Sequence, residues 1–135
     1  FEIGKGILLN PGTDVTIAAT GHLVWEAILA AEELESEGIY AEVINIHTIK
    51  PLDKELIIKS VQKTGAIVSA EEHNYLGGLG ESIAGALAKS QPTPQEFVAT
   101  LDTFGESGTP AQLMEKYGLN KDAIIAASKK VIARK

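Results

Sequence analysis

The densest gathering of chemically capable residues lies between positions 66 and 88, in AIVSAEEHNYLGGLGESIAGALA. An apolar run meets Glu71, Glu72 and His73, and the glycines Gly77, Gly78 and Gly80 follow before a pattern of helical period begins. A carboxylate beside an imidazole raises its basicity and fixes its tautomer, so this triplet has the ingredients of an acid/base set. Neighbours in an extended chain point to opposite faces, however, so only one of the two acids can share a face with His73. A solvated or interface histidine is the simpler reading.

The glycines raise a second possibility, a phosphate cradle made of amides at a helix N-terminus. The dinucleotide spacing fails, because the position after the two residues that follow Gly80, where the motif needs glycine, is Ile83. Glu81, in the first helical turn, would also complement the helix dipole and repel a diphosphate. A packing corner fits better. Gly80, Ala84 and Ala88 recur every four residues as a strip of small side chains beside a ridge of Leu79, Ile83 and Leu87. Such a strip permits close approach by a strand, a helix or a second subunit. Elsewhere His22 and His47 have no ligand spacing to another histidine or acid, and Ser107 lacks the G-x-S-x-G of a hydrolase elbow. Trp25 and Tyr40 read as core or rim aromatics.

The elements that must carry this corner alternate in period. Residues 14–20, DVTIAAT, read as a buried strand, and the segment after Gly21 places Leu23, Val24, Ala27, Ile28, Ala31 and Leu34 at helical spacing up to a stop at Gly38. YAEVINI, 40–46, is the next strand, and Asp53 caps a helix through 62 that turns Leu56, Ile57 and Val61 inward. A strand at 66–71, a helix at 79–89 and a strand at 96–102 follow. Thr109 and Pro110 open a short helix to Tyr117, and Asn120 caps a final one with Ile124, Ile125, Ser128, Val131 and Ile132 on one face. ILLN, 7–10, has no crossover helix after it and is expected antiparallel at an edge. Alternating strands and helices predict a mainly parallel sheet covered on both sides.

Composition narrows the classes further. A chain of 135 residues suits one domain, 1–135, and Phe1 in place of methionine fits a piece of a longer polypeptide. The absence of cysteine excludes disulfides and thiolate metal sites and fits a reducing cytoplasm. No apolar run approaches the ~20 residues of a membrane span. With a formal charge of −6 and no basic stripe, a nucleic-acid surface is not expected.

Several segments, in order, resemble one family: PGTDVTIAATGHLVWEAILAAEELESEGIYAEVINIHTIKPLD, AIVSAEEHNYLGGLGESIAGAL, DTFGESGTPAQLMEKYGL and AIIAASKKVI. Together they are similar to the C-terminal domain of transketolases, above all the separately encoded C-terminal section of split transketolases. The resemblance implies a three-layer α/β/α sandwich with a five-stranded, mostly parallel sheet and one antiparallel edge strand. It implies an enzyme that moves a two-carbon ketol unit between sugar phosphates with thiamine diphosphate and magnesium. The cofactor would lie between two other domains, one binding the diphosphate and one the pyrimidine ring, in the same or a separate chain.

This sequence carries neither the Gly-Asp-Gly motif with its downstream asparagines nor a recognisable pyrimidine domain. No catalytic, cofactor-binding or metal residue is therefore expected here, and the domain alone should be inactive. Its role would be to buttress the pyrimidine domain and to help a homodimer or higher assembly form. The interface candidates are Glu72, His73, Gly77, Gly78, Gly80 and Ala84 at the glycine corner, and Phe104, Gly105, Glu106 and Ser107 in the FGESG turn. The beta subunits of 2-oxo acid dehydrogenases and the deoxyxylulose-phosphate synthases share this domain, but HTIKPLD and FGESGTP favour transketolase. A ligand- or RNA-binding α/β domain is the alternative from another class.

Overall fold

The structure, a computed structural model, describes residues 5–47, 51–74, 78–100 and 120–135, with 72–74 and 100 described by backbone alone. Strand β2 (Val15–Ala19) is buried along its whole length, which explains why it is apolar apart from Thr16. On one side it pairs in parallel with β3 (Ala41–Asn45), and on the other with β4 (Ile67–Asn74). Strand β5 (Gln95–Thr100) pairs in parallel with β4, and β1 (Ile7–Asn10) runs antiparallel along β3, as expected from the missing crossover. The order is β1-β3-β2-β4-β5.

Helices α1 (Leu23–Ser36), α2 (Lys54–Thr64), α3 (Leu79–Ser90) and α4 (Lys121–Ile132) cover the two faces. Side-chain alternation sorts the core. Ile17, Val43, Val68 and Ala70 pack with Leu23, Ala27, Ala30 and Leu34 of α1 and Ile124 and Val131 of α4. Ala18, Ile44 and Ile67 point the other way, to Ile57 and Val61 of α2 and Ile83 and Leu87 of α3. The result is the three-layer sandwich.

Boundaries differ by small amounts. Helix α2 runs to Thr64 because its stop is Gly65, which adopts the left-handed φ of 76° as C-cap. Strand β4 continues past residue 71 to Asn74. Val24, Ile28 and Leu56, expected inward, are half-buried at the margins of their helices. The helix expected from Thr109 to Tyr117 lies outside the described residues.

Local caps follow the sequence. Asp53 accepts from the Leu56 amide at 3.2 Å, and its other oxygen accepts from Gly6 at 2.9 Å, so one residue starts α2 and ties down the approach to β1. Asn120 accepts from the Ala123 amide at 3.0 Å.

A polar cluster closes the amino edge of the sheet. Thr16 Oγ1 lies 2.6 Å from Ser60 Oγ and 2.7 Å from Thr64 Oγ1, so the buried hydroxyls of β2 and α2 satisfy one another. Glu42 of β3 is buried, accepts from the Gly12 amide at 3.1 Å, and forms an ion pair with Lys63. A Cβ on Gly12 would fall 2.3 Å from the Ala41 carbonyl carbon, so only glycine lets the chain pass this close to β3.

Burial pushes the Glu42 carboxyl up, but hydrogen bonds from Lys63, Ser60 and Gly12, with the Lys63 charge, outweigh it and hold the group below its ordinary value. A carboxyl depressed in the folded state stabilises the fold fully above its unfolded value. That stability disappears as pH falls through the folded value. Urea midpoints are therefore expected to drop as pH is lowered below the ordinary glutamate range, and Glu42→Gln should flatten this drop while costing about 1–3 kcal/mol at neutral pH. Equal pH slopes for wild type and variant would show that Glu42 is not the titrating group.

Candidate functional site

The glycine corner joins the carboxyl end of β4 to α3. By strand alternation Ile67, Ser69 and Glu71 share the face that looks toward α2 and α3. Glu71 is only 1% exposed, and its carboxylate reaches the start of α3. The Leu79 amide donates to Oε1 at 2.9 Å and the Gly80 amide to Oε2 at 2.7 Å. Gly78, the N-cap residue, has extended backbone and no side chain to offer, so the Leu79 amide is capped instead by Glu71, eight residues before it.

Gly80 meets the sheet directly. A Cβ there would lie 2.4 and 2.5 Å from two ring atoms of Phe97 and 2.8 Å from Ser69 Oγ. Gln95 Nε2 donates to the Gly80 carbonyl at 2.9 Å and to Ser69 Oγ at 3.3 Å, fastening the same spot to β5. The small-residue strip thus changes character along α3. Gly80 is enclosed within the chain, Ala84 is half-buried and Ala88 is exposed. Ala84 and Ala88 line an open groove with Leu87, Pro92, Phe97 and Arg134.

These contacts decide among the readings of the corner. A helix N-terminus attracts anions through unpaired amides and the helix dipole, and here a carboxylate of the chain itself already takes both roles. The sequence pointed to Glu81 as the complementing acid. Glu81 does lie in the first turn, but the two amides are held by Glu71. Alternation from Ile67 and Ser69 was the signal that would have placed Glu71 on the side of α3.

Of the other candidates, Gly78 is half-buried at the corner. Glu72 and His73 lie on β4, with side chains outside the described set. Gly77 and the whole of Phe104, Gly105, Glu106 and Ser107 lie outside the described residues. His22 stands at the N-cap of α1 without a side-chain capping bond. Among the described residues no group of three or more histidines and acids is arranged to hold a metal ion, and no helix is long and apolar enough to cross a membrane.

The chain is similar over its full length to the 6-deoxy-6-sulfo-D-fructose transketolase subunit SqwH of Clostridium sp. (strain MSTE9), with 49% identity over 135 residues. It is 35% identical to the transketolase of Mus musculus over 137 aligned positions, 99% of this chain. Among solved structures, a split-gene transketolase described as an inactive beta4 tetramer superposes with a TM-score of 0.94 and 46% identity over 98% of the chain. The chain spans 42% of the length of the Clostridium subunit, 22% of the mouse enzyme and 44% of the solved chain. Residues 4–124 match the family model of the transketolase C-terminal domain, and the chain belongs to that family.

Proposed function

We infer that residues 1–135 form the C-terminal assembly domain of a thiamine-diphosphate-dependent transketolase, an enzyme that transfers a two-carbon ketol unit between sugar phosphates. Membership in the family and likeness to transketolase subunits support the enzyme class. The observation that carries the non-catalytic role is the Glu71 carboxylate on the Leu79 and Gly80 amides. It gives the glycine corner a structural task and leaves those amides nothing to offer a diphosphate.

Thiamine diphosphate supplies an activated carbon that carries the ketol unit, and it needs a divalent cation and a grip on its diphosphate. The described residues do not fit that group, since the first amides of α3 are taken and no acid or histidine cluster stands ready for the cation. Cofactor and magnesium are accordingly assigned to the diphosphate- and pyrimidine-binding domains, in the same or a separate chain. This domain's partners are those domains and further copies in a homodimer or higher assembly, in the cytoplasm, without nucleic acid or membrane. The solved relative's tetramer supports self-association.

The purified chain is expected to fold, to show no transketolase turnover and to give no saturable thiamine diphosphate binding in calorimetry with magnesium present. Saturable binding would overturn the assignment. When the remaining domains are supplied, hydrogen exchange is expected to slow at 72–80, which takes in the carboxyl end of β4, and at 104–108, which comes after β5 in the sequence. No slowing at either segment counts against an interface there.

Ala84 separates packing from association. It is half-buried beside an open groove, so Ala84→Leu has room within the domain and should lower the unfolding free energy obtained from urea titration by less than about 1 kcal/mol, below the usual cost of overpacking a core. Leucine nearly matches alanine in helix propensity, which removes that explanation. Sedimentation of the complete protein should show weakened association. A variant unchanged in both measurements would place this part of the strip in solvent.

A further inference from the structure

Among the described residues the longest run of exposed large apolar side chains is Ile7, Leu8 and Leu9 of β1, at 43, 44 and 40%. Single exposed apolar residues are ordinary, but three in succession on an outermost strand are not. Alternation sends Leu8 to the face opposite Ile7 and Leu9, so both faces of the strand are left uncovered. The strand also carries no charge to keep a neighbour away. Its backbone, however, is a poor one to extend, being four residues long and irregular between Leu8 and Asn10. A cover for these side chains is therefore a packed surface rather than an added strand.

The way the chain enters β1 selects that surface. Ile7 stands opposite Asn45 in antiparallel register, so the chain arrives at the carboxyl end of β3. Gly6 is pinned at this point: its amide donates to Asp53 Oδ2 at 2.9 Å, and a Cβ would stand 2.8 Å from Leu56 Cδ2 and 3.0 Å from Ile46 Cδ1. Polypeptide leading into Gly6 is thus held beside α2 and the first residue of the apolar run. A domain tethered there by a short connection meets β1 at an effective concentration on the order of millimolar, which a separate partner or a second copy must match through affinity alone.

We propose that Ile7, Leu8 and Leu9 seat the domain that precedes this one in the same polypeptide, the pyrimidine-binding domain of the reading above, whose apolar surface packs over the β1 edge. The inference rests on that reading and adds the place of contact and the connectivity. The Clostridium subunit, of which this chain spans 42%, has room for such a domain.

The test uses the complete native polypeptide carrying Leu8→Cys or, as control, Glu35→Cys at an exposed position on α1. Residues 1–135 contain no other cysteine, and peptide mass spectrometry separates any that lie upstream. Maleimide labelling of the folded protein, relative to the same thiol in urea, is expected to be at least about tenfold slower for Leu8→Cys than for Glu35→Cys. That protection should persist when the protein is diluted until sedimentation shows single polypeptides. Should Leu8→Cys fail to fold, hydroxyl-radical footprinting of Leu8 and Leu9 in the unmodified protein makes the same comparison.

Equal labelling of the two thiols overturns the proposal. Protection that disappears on dilution gives the seat to a second copy and overturns it too, as does a native reading frame with no domain before this one. Absence of transketolase turnover from the complete protein with its partner chains would remove the underlying reading, and the inference with it. That outcome is separable because it is measured without any label.

Discussion

Strand β2 has no water on either side, and this constraint organises the molecule. Its residues feed two cores at once, Ile17 toward α1 and α4 and Ala18 toward α2 and α3, so neither helical layer can be dispensed with. The same constraint governs its polar residue. Thr16 is fully buried, and a lone hydroxyl there would cost about 1–3 kcal/mol, a penalty that Ser60 and Thr64 remove by packing their own hydroxyls against it. Polar pairing thus fixes the register of α2 on the sheet, which apolar contact alone would specify less sharply.

The two edges of the sheet are finished differently. At the amino edge, Glu42, Gly12 and Lys63 combine with the Lys135 ammonium, which donates to the carbonyls of Asp14 and Thr64 at 2.8 and 2.9 Å. These are ties between β1, β2, β3, α2 and the end of α4, and they serve the domain's own cohesion. At the carboxyl edge the tie is the Glu71 carboxylate on α3.

Much of this fold was legible because its signals are local. Period, turn glycines and the capping residues Asp53 and Asn120 act within a few positions of themselves, and each marks the element it starts. The antiparallel course of β1 was also readable, since no crossover follows it. What escaped was long-range. Glu42 sits in a strand that alternates, where an acid ordinarily points to water, and its burial depends on an amide 30 residues earlier and a lysine 21 residues later. Glu71 was placed with its neighbours in sequence, whereas its partners stand across a turn. The small strip from Gly80 to Ala88 was visible as a pattern, but its passage from enclosed to exposed depends on where Phe97 lies.

Strand β1 shows how the fold manages a liability. Ile7, Leu8 and Leu9 are each at least 40% exposed on an outermost strand, the kind of edge onto which another extended chain can add. The strand is only four residues long, its register shifts between Leu8 and Asn10, and Asn10 turns its amide to the Ala41 carbonyl just before Pro11. Brevity, a kink and a proline make poor templates for aggregation. Lengthening or straightening this strand in an engineered version would therefore trade solubility for regularity, even if every core contact were preserved.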